Sequence, residues 1–198
     1  GSDSMGRALL VYADGGSRGN PGVAGYGAVV LDADTGDLLA ERAEPLGLAS
    51  NNVAEYSGLI AGLRAAATID PGAAVQVRLD SKLVVEQLSG RWKIKHEDMR
   101  RLALKARELA RSIEAAGGSV TYAWVPRAEN TAAIQWAAEQ GRSRLVDRAV
   151  PGPYTHRPVD HLDPVEVIKA AHAAQCACSP SPTWVGSTAQ RLLTGVIA

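Results

Sequence analysis

The stretch VYADGGSRGNPG, residues 11–22, carries an apolar run into Asp14 and then at once into glycines, as a strand does when it delivers a carboxylate to its end. Two later stretches do something similar. SNNVAEY, residues 50–56, places Glu55 in the first turn of a helix that Ser50 and Asn51 can cap, and VRLDSKLVVEQL, residues 77–88, ends an alternating strand on Asp80. Taken singly, an Asp before glycines is an ordinary turn residue and a Glu in a helix is ordinarily solvated. Taken together the three acids differ, because strand ends are where open α/β sheets gather their ligand sites. Convergent carboxylates also repel one another unless a hard cation lies between them.

Working outward, residues 7–13 and 25–31 read as strands, and the turn DADTGD at 32–37 leads into a third at 38–46. A helix follows, with Val53, Tyr56, Leu59, Ile60 and Leu63 recurring on one face. After Pro71 and Gly72 comes a strand over 75–79. Ser81 then caps a short helix that Gly90 ends, and a longer helix runs from about Glu97 to Ala116, before Gly117 and Gly118. Residues 119–125 form the fifth strand, and a last helix is expected from Asn130, giving the order βββαβαβα and an α/β fold.

The chain has 198 residues, 46% of them hydrophobic, which supports one domain with a real core. Its 21 basic and 21 acidic residues cancel, so any polyanion signal must be local. Such a signal is present: ten Lys or Arg stand against five Asp or Glu between Arg78 and Arg111, whereas the stretch before Asn51 is acidic. Cys176 and Cys178 lie one residue apart and away from any histidine spacing that suits zinc. No apolar run is long enough to cross a bilayer and no charged-then-apolar leader opens the chain, so no membrane partner and a cytosolic location are expected. Residues 1–6, GSDSMG, read as a cloning remnant. Composition shifts near Gly141: six of the ten prolines, both cysteines and three of the four histidines follow it. Residues 141–198 therefore read as a tail, a partial second unit or a segment foreign to the domain, with a short helix at PVEVIKAAHAA, residues 164–174.

Four motifs in order carry a family resemblance. They are D-G-G-S-x-G-N-P-G from Asp14 to Gly22, N-N-x-A-E from Asn51 to Glu55, D-S at Asp80 and Ser81, and V-P-R-A-E-N from Val125 to Asn130. Over about residues 7–140 the chain resembles type I ribonuclease H. It looks most like the compact bacterial and archaeal subtype, since the connection from Trp92 to Glu97 leaves no room for a long basic insertion. The resemblance implies a ribonuclease H-like five-stranded mixed sheet flanked by helices. It also implies a metal-dependent endonuclease that hydrolyses the RNA strand of RNA–DNA hybrids, leaving 5′-phosphate and 3′-hydroxyl ends. Two Mg²⁺ ions roughly 4 Å apart, with Mn²⁺ as a substitute, would be held by Asp14, Glu55 and Asp80, Asp14 bridging both.

By the same resemblance, Asn20, Asn51 and Asn52 would reach the minor groove or a backbone phosphate, and Ser50 a DNA phosphate. Asn20-Pro21-Gly22 is equally an ordinary turn, and Ser50 or Asn51 an ordinary cap. Trp92 and Lys93, with Arg91 and Lys95, suit either a grip on the DNA strand or a solvated basic face. His96 reads as a capping or surface residue and Trp124 as near-core packing.

One position departs from the pattern. The family places a fourth acid in N-x-x-A-D-x-L-A, whereas this chain has Asn130-Thr131-Ala132-Ala133-Ile134-Gln135-Trp136-Ala137, with Ile134 where the aspartate stands. Isoleucine offers no oxygen to a cation, and neither Glu129 nor Glu139 falls in register to replace it. The chain is therefore read as a hybrid-specific endonuclease, impaired or not by Ile134, with a catalytically inactive hybrid-binding module as the alternative reading. A structural protein with a coincidental fold is the third. The oligomeric state is left open.

Overall fold

β1 (Ala8–Gly19), β2 (Gly22–Asp32) and β3 (Leu38–Ala49) run as an antiparallel meander. α1 (Asn51–Ile69) then carries the chain back across the sheet to β4 (Ala74–Leu79). α2 (Lys82–Leu88) and α3 (Glu97–Ala115) lead to β5 (Ser119–Trp124), and α4 (Arg127–Arg148) follows. The strands lie in the order β3-β2-β1-β4-β5, with β4 parallel to both β1 and β5. This is the five-stranded mixed sheet that the sequence resemblance implies. The computed structural model describes residues 6–19 and 21–148, with side chains described as far as 140. The cysteine pair and the 164–174 segment lie outside the described residues, as does residue 20. No described helix is long and apolar enough to cross a membrane.

Alternation along β1 divides the core. Leu9, Val11 and Ala13 face α1, α2 and α3 in the larger cluster with Leu59, Leu63 and Val77, whereas Tyr12 faces α4 beside Val29 and Leu31. Ser50 caps α1 by accepting from the Val53 N–H, and Ser81 caps α2 by accepting from the Val84 N–H, as expected from sequence. Several boundaries differ from expectation, β2 beginning at Gly22 rather than Gly25 and β3 running to Ala49 rather than Leu46 among them. β1 continues past Asp14 to Gly19, because β2 pairs with it down to Gly19↔Gly22. α4 is already wound before Asn130, whose N–H bonds to the Pro126 carbonyl at 3.0 Å; Pro126 fits the helix entry because the first turn needs no N–H from it.

α1 rests on β1 almost backbone to backbone. A Cβ at Gly15 would stand 2.4 Å from the Ala54 carbonyl, and one at Gly62 2.4 Å from Val11 Cγ1. Gly58 is less tight, its nearest neighbour being the Asp14 carbonyl oxygen at 3.2 Å. A side chain at Gly15 would push the start of α1 off the strand.

Gly15→Ala should therefore destabilise the domain by about 1–3 kcal/mol through overpacking against helix backbone. Gly58→Ala should come out near neutral, since helix propensity returns about 1 kcal/mol. Denaturant unfolding at constant m-value ranks the two. A Gly58→Ala loss as large as that of Gly15→Ala would show that α1 can slide away from β1.

Candidate metal centre

β1 and β4 pair in parallel as far as Tyr12↔Arg78. Two residues further on each chain stand Asp14 and Asp80, level with one another where the parallel pairing has ended. Such a mouth, between strands whose connections leave in opposite directions, is where α/β sheets take ligands. Glu55 arrives from the first turns of α1, brought in by the close approach at Gly15. One oxygen from each of the three carboxylates lies within 4.8 Å of the others. All three side chains are nearly sealed from solvent: Asp14 is 2% exposed, Glu55 8%, and the Asp80 side chain 2%.

Burial holds the Glu55 carboxyl well above the usual range, and the charges of Asp14 and Asp80 push it in the same direction, with Arg127 opposing. Several groups hold the acids in place. The Gly15 N–H donates to Asp14 Oδ1 at 2.9 Å. Asn130, with no exposed surface, donates from Nδ2 to the Ala13 carbonyl at 3.0 Å and to Asp80 Oδ2 at 3.2 Å. Both of those partners are acceptors, so the orientation of the amide follows from the network. Trp124 Nε1 donates to the Asp80 carbonyl at 3.2 Å. Arg127 Nε stands 3.9 Å from Asp80 Oδ2 but is 65% exposed, so water screens most of that attraction.

The donor set fits a hard divalent cation. Three carboxylates converge in a sealed mouth, and Glu55 Oε2 is buried with no hydrogen-bond partner among the described residues. An oxygen in that condition is costly unless a proton or a cation meets it.

Ile134 lies one helical turn beyond Asn130 and is 2% exposed. It packs with Tyr12, Val29, Leu31, Leu38 and Ala137. Position 134 thus joins the apolar cluster under α4, one turn beyond the asparagine that holds Asp80. Isoleucine suits this surface and a carboxylate would not.

The remaining residues singled out from sequence fall into two groups. Ser50 is occupied with capping, its Oγ accepting from the Val53 N–H at 3.2 Å. Asn51 Oδ1 accepts from the Ser17 N–H at 2.8 Å and from Ser17 Oγ at 2.9 Å, tying the start of α1 to β1. Asn52, Trp92 and Lys93 line one open groove of about 610 Å³ together with Gln87, Lys95 and His96. Arg91 is engaged by Glu86 in a bidentate pair. His96 occupies the α3 N-cap position without a side-chain capping bond. Asn20 lies outside the described residues. Trp124 is corrected: it is 51% exposed rather than core, since β5 is an edge strand and its last residue stands beside the site mouth. Asn130, Arg127 and Trp124 surround Asp80 yet were not singled out for it from sequence. The V-P-R-A-E-N pattern contained the signal for the first two.

Comparison with known proteins adds the following. Residues 12–140 match the family model described as reverse transcriptase-like. The chain is 44% identical over 185 residues to a bifunctional protein of Mycobacterium tuberculosis, covering 93% of this chain and 46% of that protein. It thus spans about half the length of the curated relatives it first matches. The solved N-terminal RNase H domain of that mycobacterial protein, determined as a maltose-binding-protein fusion, is 53% identical with a TM-score of 0.58 over 63% of this chain and 91% of that one. Ribonuclease H1 of the halophilic archaeon Halobacterium salinarum is 40% identical with a TM-score of 0.59 over 69% of this chain and 98% of its own. An LC11 ribonuclease H1 solved in complex with an RNA/DNA hybrid is 30% identical with a TM-score of 0.58, covering 69% of this chain and 99% of its own.

The raised Glu55 carboxyl has a signed consequence. Folding favours its neutral form, so its contribution to stability is full below the unfolded carboxyl range and is lost as pH rises through the folded value. In chelator-containing buffer, Glu55→Gln should gain in melting temperature over the parent as pH rises above the ordinary carboxyl range. A gap that stays constant with pH would mean that Glu55 ionises as easily folded as unfolded.

Proposed function

The chain belongs to the type I ribonuclease H family of reverse transcriptase-like domains, and from that membership we propose that it hydrolyses the RNA strand of RNA–DNA hybrids using divalent cations held by Asp14, Glu55 and Asp80. The observation that carries the proposal is the convergence of three sealed carboxylates at the mouth between β1 and β4. Mg²⁺ is the expected ion, with Mn²⁺ as a substitute, because an all-oxygen carboxylate set suits hard cations. When bound, such cations supply an activated water and neutralise charge that builds on the scissile phosphate.

The side chains of this protein divide the remaining work. Asp14 stands on β1 beside the close approach of α1 at Gly15, which brings its carboxylate within reach of Glu55. Asn130 holds one oxygen of Asp80 through a donated hydrogen bond, leaving that carboxylate oriented rather than free to rotate. On the flank, Asn52, Trp92 and Lys93 offer an amide, a flat apolar face and a cation to the backbone of a nucleic-acid strand. Ser50, Asn51 and Asn20 complete the substrate-binding set in this reading. The hybrid complex of a similar ribonuclease H1 supports the substrate class. Residues 7–140 make up the nuclease domain and 141–198 a further segment, with the cytosol as the compartment.

Ile134 favours one competing reading, an inactive module that binds hybrid through the same groove. A labelled hybrid incubated with Mg²⁺ or Mn²⁺ separates the two. The parent should cleave the RNA strand, and Asp14→Asn should reduce cleavage at least about a thousandfold while keeping its melting temperature within a few degrees, about 4 kcal/mol of transition-state stabilisation being removed. Binding without cleavage would leave only the inactive module.

Ile134→Asp tests the missing acid directly. The variant should melt several degrees lower in chelator, because it places a carboxylate among Tyr12, Val29 and Leu31. Mg²⁺ should then raise its melting temperature more than that of the parent. Turnover should rise about tenfold, for which about 1.4 kcal/mol suffices. Unchanged turnover with an unchanged metal-induced shift would mean that the site works with three carboxylates alone.

A further inference from the structure

One polar pair inside the larger apolar cluster has no part in the carboxylate site. Tyr56 is fully buried and Gln87 2% exposed, and the Tyr56 hydroxyl donates to Gln87 Oε1 at 2.8 Å. Gln87 Nε2 in turn donates to the Lys93 carbonyl at 3.4 Å. The direction of this chain of bonds follows from its end. A carbonyl can only accept, so the amide nitrogen must face Lys93, its oxygen must face Tyr56, and the tyrosine must donate.

The pair connects the two working regions of the molecule. Tyr56 is the residue after Glu55 on α1, and Lys93 belongs to the loop that presents Trp92 and Lys93 to the groove. That loop leaves α2 through backbone bonds from Arg91 and Trp92 to the Glu86 carbonyl, at 2.9 and 3.2 Å. Over residues 93–95, the hydrogen bonds found on its backbone come from side chains: Gln87 to Lys93, and Arg100 to the Ile94 carbonyl at 3.2 Å. Arg107 braces Gln87 from behind by donating to its carbonyl at 3.3 Å. An apolar pair of similar volume would fill the same space at little or no loss of stability, since each buried polar atom gives up water to make its bond. What the polar pair adds is directionality.

We propose that Gln87, held by Tyr56, is a positioning residue for the nucleic-acid strand: it fixes the Trp92–Lys93 loop relative to the α1 turn that carries Glu55, so that a strand gripped in the groove lies in register with the carboxylates. The inference rests on the proposed ribonuclease reading and deepens it. Gln87 also lines that groove, but with 2% of its surface exposed it offers a bound strand almost nothing. Its effect is exerted through the loop.

The test is the double variant Tyr56→Phe/Gln87→Leu, which removes both partners and leaves no hydroxyl stranded, with Gln87→Leu alone as the second variant. For the double variant the melting temperature should stay within a few degrees of the parent, KM for hybrid should rise about tenfold, and kcat should hold within about twofold. Hydrogen exchange at the amides of residues 93–95 should quicken about tenfold, a readout that needs no substrate. In Gln87→Leu alone the same KM shift should accompany a lower melting temperature, because the Tyr56 hydroxyl is then unpaired. A folded double variant with the parental KM, or with parental exchange at 93–95, overturns the inference. A parent that neither binds nor cleaves hybrid overturns the ribonuclease reading instead, while exchange still decides whether Gln87 anchors the loop.

Discussion

Everything at the site depends on how closely α1 lies on β1. With no side chain at Gly15, Gly58 or Gly62, the helix backbone comes within van der Waals reach of the strand, and Glu55 is carried to the level of Asp14. Elsewhere the sheet is covered at ordinary packing distance by apolar side chains on both faces. The tight contact thus occurs where a carboxylate from a helix must meet one from a strand. Because β1 runs on as a ribbon with β2 after β4 has ended, Asp14 sits within regular structure rather than on a loop, which fixes its direction.

The convergence opposes folding in the absence of a cation. Three acids whose oxygens lie within 4.8 Å, nearly without solvent, repel one another, and the raised Glu55 carboxyl records that repulsion together with the loss of water. The protein offsets it in part with dipoles: the Gly15 N–H points at a carboxylate oxygen of Asp14 and the Asn130 amide at one of Asp80. A neutral donor such as Asn130 orients a carboxylate without adding a charge that would compete with a cation. The exposed guanidinium of Arg127 stands at the edge, where solvent weakens it.

Much of this was legible in the sequence because it is local. Asp14, Glu55 and Asp80 announce themselves through the residues beside them, and the caps Ser50 and Ser81 perform the hydrogen bonds that their positions foretold. The features that escaped depend on distant partners. The glycines after Asp14 read as a turn, and only pairing with β2 makes them strand. Trp124 on an alternating strand reads as core, but β5 is an edge and leaves it uncovered. Ile134 matched a pattern position in one dimension, while its surroundings come from β1, β2 and β3. The bond between Tyr56 and Gln87 spans 31 residues and leaves no periodic trace.

The seven-residue helix α2 separates Asp80 from the loop of Trp92 and Lys93. At about 1.5 Å per residue it is a stiff rod of about 10 Å, capped by Ser81 at the acid end and closed by Gly90 at the other. Distance and azimuth are thereby coupled. Adding or deleting a single residue would move the far end by about 1.5 Å and also swing it through about 100°, turning the loop away from the groove, whereas a change of a whole turn would restore its heading at a different offset. The length of α2 is therefore quantised for this architecture: point substitutions can drift along its surface, but its residue count can change only in steps of three or four without losing alignment between the two ends.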